Sequence, residues 1–149
     1  MEKILIEYID KFFDETVKLR RHLHKYPELA YEEVNTTQYL TDLFPKSWKI
    51  SRIDGMTGFV ADLVLHEQLP TLIFRSELDA LPIKENVDVD YASVNEGVMH
   101  ACGHDAHTAI LLGAIKILSE LREEFDGQVM FIFQPSEEHY PGGAITMLN

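Results

Sequence analysis

The sequence predicts an α/β fold in which a sheet carries packing helices. Three observations lead there: an N-terminal stretch with apolar residues at helical spacing, several short β-favouring apolar runs, and a long apolar helix between two of those runs. One domain is expected. A chain of 149 residues that is 46% hydrophobic can bury a core, and no repeat, low-complexity tract or interdomain linker interrupts it.

From Ile4 to Leu23 the residues Leu5, Ile9, Phe12, Phe13, Val17 and Leu23 recur at three- and four-residue steps, which marks a buried helical face ending before Pro27. YEEVNTTQYLTDLF places Val34, Leu40, Leu43 and Phe44 at similar spacing, and Pro45 cannot continue a helix ladder. The pattern then changes. Trp48, Ile50 and Ile53 alternate with polar residues, DGMTG is rich in turn formers, and FVADLVL resumes the apolar run, so two antiparallel strands are expected. TLIFR reads as a strand inside the sheet, covered on both faces. DAHTAILLGAIKILSELREE is apolar around most of its circumference, which predicts a helix over 105–122 packed on several sides, with Asp105 as its N-cap. FDG turns the chain into QVMFIF, a further strand, and QPSEEHYPGG leads to a helix after Gly142 and Gly143.

Composition narrows the function classes. Thirteen Lys and Arg against 25 Asp and Glu give a formal charge of −12, which repels phosphate backbones and anionic head groups, so neither nucleic acid nor a membrane is an expected partner. The longest apolar stretch, AILLGAIKIL, contains Lys116 and falls well short of the roughly 20 residues a bilayer span needs. A single cysteine, Cys102, excludes an internal disulfide, and the opening MEKILIEYIDKFFDE has no signal-peptide pattern. A reducing, cytoplasmic setting is expected.

Three segments carry chemistry. In MHACGHDAH, Cys102, His104 and His107 lie close together where a loop enters a helix, and thiolate with imidazole suits zinc and its neighbours. Read alone, the loop leaves open a buried cysteine and satisfied histidines. In FIFQPSEE, Glu137 and Glu138 follow a strand end, where one carboxylate can bind an ion and the other move a proton; a solvated acidic turn is the alternative. In FRSELDALP, Arg75, Glu77 and Asp79 follow a strand. Asp79 is placed there to accept the second N–H of a ligating histidine, against the alternative of a surface ion pair.

These segments, with RRHLHKYPELAYEE and TGFVADL ahead of them and GGA after, resemble the zinc- or manganese-type amidohydrolases that include hippurate hydrolase, auxin-conjugate hydrolases and N-acetyldiaminopimelate deacetylase, within the metal-dependent amidohydrolase–carboxypeptidase superfamily. The resemblance covers essentially the whole chain. It implies a three-layer, phosphorylase/hydrolase-like catalytic domain of which residues 1–149 form the N-terminal part. It implies that Cys102, His104 and Glu138 ligate metal, that Glu137 is the general base, and that Asp79 and Asp105 support the ligands from behind. The cofactor would be a divalent metal, zinc or manganese with nickel or cobalt as alternatives, two ions in the complete enzyme. The substrate would be an N-acyl-amino acid, and the protein a homo-oligomer.

Two departures stand out. Glu77 replaces the first aspartate of the usual Arg-x-Asp-x-Asp-Ala-Leu-Pro pattern. Family members also run far longer, adding further metal-binding histidines and a separate lid and dimerisation domain. TMLN stops inside an expected helix, so the reading favours a fragment of a longer enzyme, inactive by itself; one alternative is a non-catalytic truncated product that only folds, self-associates or binds metal weakly. A nucleophilic Cys102 with a histidine base is the other alternative, poorly met because no third group orients the pair.

Overall fold

The computed structural model describes residues 2–148, as a four-stranded mixed sheet with helices against it. In chain order the elements are α1 (Glu2–Lys25), α2 (Val34–Asp42), β1 (Lys49–Ser51), β2 (Phe59–Val64), β3 (Thr71–Glu77), α3 (His104–Glu120), β4 (Gln128–Gln134) and α4 (Gly143–Met147). The strands lie in the order β1-β2-β4-β3. β1 with β2 and β2 with β4 are antiparallel, whereas β3 and β4 run parallel, joined by the crossover through α3. That one parallel pair puts the carboxyl ends of β3 and β4 side by side.

Alternation along the strands builds the core. Phe59, Ala61 and Leu63 of β2 and Val129, Phe131 and Phe133 of β4 are buried on one face, where they meet Leu19 and Leu23 of α1, Leu40 of α2 and Leu111, Leu112 and Ile115 of α3. Aromatic rings lock this layer: Phe59 stacks on Phe133 at 4.4 Å and Phe74 on Phe131 at 5.0 Å. α3 packs on β3, and α1 runs along α3 where Gly113 leaves room for Thr16. On the sheet's other face Val60, Asp62, Met130 and Ile132 remain partly exposed. No helix among the described residues is long and apolar enough to cross a membrane.

Four expectations change. β3 is an edge strand rather than an interior one: Leu72 and Ile73 are 59% and 55% exposed, and burial begins only near the end, at Ser76 and Glu77. A continuous apolar run cannot by itself distinguish an edge from an interior position. In α1 only the last turns are buried; Ile9 and Phe13 of the predicted buried face are exposed, because α3 is the helix's main neighbour. α3 begins at His104, its N-cap is Gly103 with φ 93°, and Asp105 makes no cap, its carboxylate being drawn toward α1. Ile110 on the same helix is 65% exposed, so α3 is not covered all round.

Candidate metal centre

The site forms where β3 and β4 end. Past β3, Leu78 N–H still donates to Gln134 O, so the pairing carries Asp79 to the mouth of the sheet, where it is buried. The segment 82–103 returns to the same place. Gly103, in the left-handed region, turns the chain sharply into α3, so that Cys102 and His104 flank the turn. Beyond β4, Pro135 and Ser136 deliver Glu137 and Glu138 to the same end of the sheet.

Cys102, His104 and Glu138 each offer one ligand atom, and these atoms lie within 4.8 Å of one another. His104 is buried and oriented. Its Nδ1–H donates to the carbonyl of Asp79 at 2.9 Å, with an Asp79 carboxylate oxygen 3.4 Å away, which leaves Nε2 as the ligand atom. Glu137 Oε2 lies 3.8 Å from that Nε2, on a side chain that is 42% exposed. The other carboxylate oxygen of Asp79 accepts the backbone N–H of Glu138 at 2.8 Å, so one buried acid touches both loops of the site.

The titration behaviour follows from these contacts. Burial would raise the Asp79 carboxyl, but the His104 ring and the N–H groups of Glu138 and Glu137 outweigh it and hold the pKa below the ordinary value. Burial would lower His104, but its bonds to Asp79 win and raise it to about 9. The Cys102 thiol is pushed up, chiefly by its hydrogen bond to Glu138. A soft-to-borderline divalent ion fits this S, N, O donor set, and its binding would require the Cys102 thiol and the His104 imidazolium to give up their protons.

The remaining candidates lie elsewhere. Asp105 is buried and bonds His24 Nδ1 at 2.7 Å and Arg20 Nε at 2.9 Å, both on α1; no hydrogen bond takes it to the three ligand residues. His107 donates to Glu77 Oε2 at 2.9 Å, and Arg75 Nε to Glu77 Oε1 at 2.8 Å, so His107 is not among the converging ligands. Sequence reasoning missed three groups. His24 and Glu85 are joined at 3.0 Å beneath the 82–103 segment, His100 is buried with no partner for its Nδ1 among the described residues, and Glu33 is wholly buried beside the Ser136 turn. Only the density of histidines in RRHLHK and GVMHACGH hinted at the first two.

The sequence profile of Peptidase family M20/M25/M40 matches residues 73–149. The chain is 41% identical over 142 residues to the N-acyl-L-amino acid amidohydrolase of Geobacillus stearothermophilus, an alignment covering 94% of this chain and 38% of that relative. It is 44% identical over 139 residues to IAA-amino acid hydrolase ILR1-like 5 of Arabidopsis thaliana, covering 91% and 30%. Among solved structures it superposes on Bacillus subtilis YXEP, described as a dinuclear metal binding peptidase from the M20 family, with a TM-score of 0.85 and 37% identity over 93% of this chain and 39% of that one. The chain spans less than two fifths of the length of these relatives.

Proposed function

This chain belongs to peptidase family M20/M25/M40, and from that premise we propose that it carries the metal ligands and general base for hydrolysis of the amide bond of N-acyl-amino acids, of hippurate or N-acetyl type. The observation that carries the reading is the convergence of Cys102, His104 and Glu138 within 4.8 Å, with Glu137 at 3.8 Å from His104. Cys102, His104 and Glu138 would hold a divalent metal, zinc or manganese, which would supply Lewis acidity to the attacking water and the scissile carbonyl. Glu137, exposed to solvent yet beside the ligands, takes the proton of the attacking water and delivers it to the leaving amine. Asp79 keeps Nδ1 of His104 protonated, which leaves Nε2 as the atom that would bind the ion. Cys102 ligates only as a reduced thiolate, in keeping with a cytoplasmic setting.

Because the chain spans 38% of the amidohydrolase relative, we place residues 1–149 as the N-terminal part of a catalytic domain. The second ion, the remaining ligands and a lid and dimerisation domain then belong to the rest of the enzyme. A second reading, that the chain alone only folds, self-associates and binds metal weakly, is favoured by the exposed apolar residues Leu72, Ile73 and Ile110. One preparation tests both. Equilibrium dialysis of the 149-residue protein should show a bound zinc or manganese ion that is lost in C102S and H104A, weakened in E138Q and kept in E137Q; undiminished binding in all four variants overturns the ligand assignment. The same protein should release no amino acid from hippurate or N-acetyl-amino acids, and light scattering should report association. Metal-dependent turnover abolished by E137Q would remove the second reading.

A further inference from the structure

The turn that follows β4 is held through its amides by two carboxylates, and only one of them belongs to the site described so far. Asp79 accepts the N–H of Glu138 and also bonds that of Glu137. Glu33, 103 positions away in sequence, accepts the N–H of Ser136 on its Oε1 at 2.8 Å. Glu137 thus directly follows the amide that Glu33 holds.

Several features make the Glu33 contact more than a packing detail. Glu33 is 0% exposed, and burial raises its carboxyl above the ordinary range. An acid in that position costs stability unless its oxygens are matched. They are matched: one accepts the Ser136 N–H, and the other accepts the hydroxyl of Thr57 in the turn between β1 and β2. Ser136 itself has φ 50°, in the left-handed region that residues with side chains seldom adopt, and such a backbone persists only where its surroundings hold it. Its carbonyl accepts Gly143 N–H at 2.8 Å, so the residue is gripped from both sides of its peptide. Beside it, Gly58 N–H donates to Thr37 Oγ1, and a Cβ on Gly58 would lie 2.6 Å from Phe133 O and from the Pro135 ring. The start of α2, the β1–β2 turn and the turn after β4 thus meet at one buried carboxylate.

We propose that Glu33 is a positioning residue, which acts through the Ser136 backbone to set the direction in which Glu137 and Glu138 leave the turn. The inference rests on the functional reading above insofar as Glu138 ligates and Glu137 moves the proton. The anchor itself is a claim about this chain's backbone and is measured separately.

The test uses E33D, which keeps the charge and shortens the reach by one methylene, and E33Q, which keeps the reach and can still accept from Ser136. Amide hydrogen exchange by NMR should show Ser136 protected in the unsubstituted protein and in E33Q and exposed in E33D, with Phe131 and Phe133 unchanged as a control on the sheet. Cobalt(II) titration, followed by its thiolate charge-transfer band, should weaken about 10- to 100-fold in E33D. That loss should shrink in an E138Q background, since both changes act through one ligand. Should E33D fail to fold, T57A, which removes only the second contact, should give the same pattern at smaller size. Unchanged exchange at Ser136 in E33D, or an equal cobalt loss with and without E138Q, overturns the proposal. If the unsubstituted protein gives no thiolate band, the metal reading has failed while the Ser136 exchange still decides the role of Glu33.

Discussion

The two loops that meet at the candidate centre are held in opposite ways. Where the first loop enters α3, the side chains are gripped: His104 is bonded through its ring to Asp79, and Asp105 is sunk into the Arg20–His24 pair on α1. After β4, the backbone is gripped, through the amides of Ser136 and Glu138, while the Glu137 and Glu138 side chains reach solvent. A ligand that must offer one ring nitrogen has to be oriented through the other. A general base that must take up and deliver a proton is better fixed at its Cα and left open at its carboxylate. Asp79 serves both loops, so it is where the contrast can be broken most completely.

The largest effect is therefore expected for D79A. It removes the acceptor of Glu138 N–H and the carboxylate beside His104 together, and it leaves a hole at a position 1% exposed. Loss of a buried, charge-assisted acceptor whose partners stay behind costs about 3 kcal/mol or more. Urea denaturation of chelator-treated protein should register that loss, and cobalt binding should disappear. D79N keeps an oxygen of the same reach but not the charge, and should restore most of the stability while reducing the His104 shift, to which the backbone carbonyl of residue 79 still contributes. A D79A protein with undiminished metal affinity would show that the two loops hold themselves.

A finer contrast lies within the first loop. His100 and His104 are both buried, yet burial, together with the His104 charge, lowers His100 to about 4, while Asp79 raises His104 to about 9. The signs oppose. His104, raised from 6.5, contributes stability that is fully present below pH 6.5 and is lost as the pH climbs to about 9. His100, lowered from 6.5, contributes stability that is present above pH 6.5 and is lost as the pH falls to about 4. Chelator-treated protein should thus be most stable near pH 6.5, with limbs on the order of 1–3 kcal/mol on either side. In D79N the alkaline limb should shrink, because the side-chain share of the His104 shift is lost. An alkaline limb undiminished in D79N would assign it to some other group.

How much of this was legible depended on whether the signal was local. The residues alone left a buried cysteine, satisfied histidines and a solvated acidic turn open; it was the resemblance that singled out Cys102, His104 and Glu138, and the parallel pairing of β3 with β4 brings the loops that carry them together. Asp79 was legible from its place, two residues past a strand. Glu33 was not. YEEVNTT reads as an ordinary acidic start to a helix, and nothing local says that its second glutamate is buried against a turn 103 residues on. Asp105 went the other way: its position suggested a helix cap, and the partners that claimed its carboxylate lie on α1, 81 positions upstream at His24. The edge position of β3 was hidden too, since strand order is a property of pairing that hydrophobicity does not carry.

The smallest expected effect tests where the centre ends. Glu77 bridges Arg75 and His107 just outside the ligand cluster. Burial would raise its carboxyl, but the bonds from Arg75 and His107 outweigh it and hold the pKa below the ordinary 4.5. A depressed carboxyl contributes stability that is present above pH 4.5 and is lost as the pH falls through the lower folded value. Both partners are about half exposed, at 53% for the Arg75 side chain and 47% for His107, so solvent screens the bridge. E77Q should accordingly cost no more than about 1 kcal/mol at neutral pH and flatten the acid limb below pH 4.5, leaving cobalt affinity unchanged. E77D, too short to reach both partners at once, should behave like E77Q at neutral pH while keeping the acid limb in part. If either substitution weakens cobalt tenfold, Glu77 acts on the ligands through His107 and the first turn of α3. The helix-entry loop would then be held from β3 at two carboxylates rather than one, the same number that grips the turn after β4.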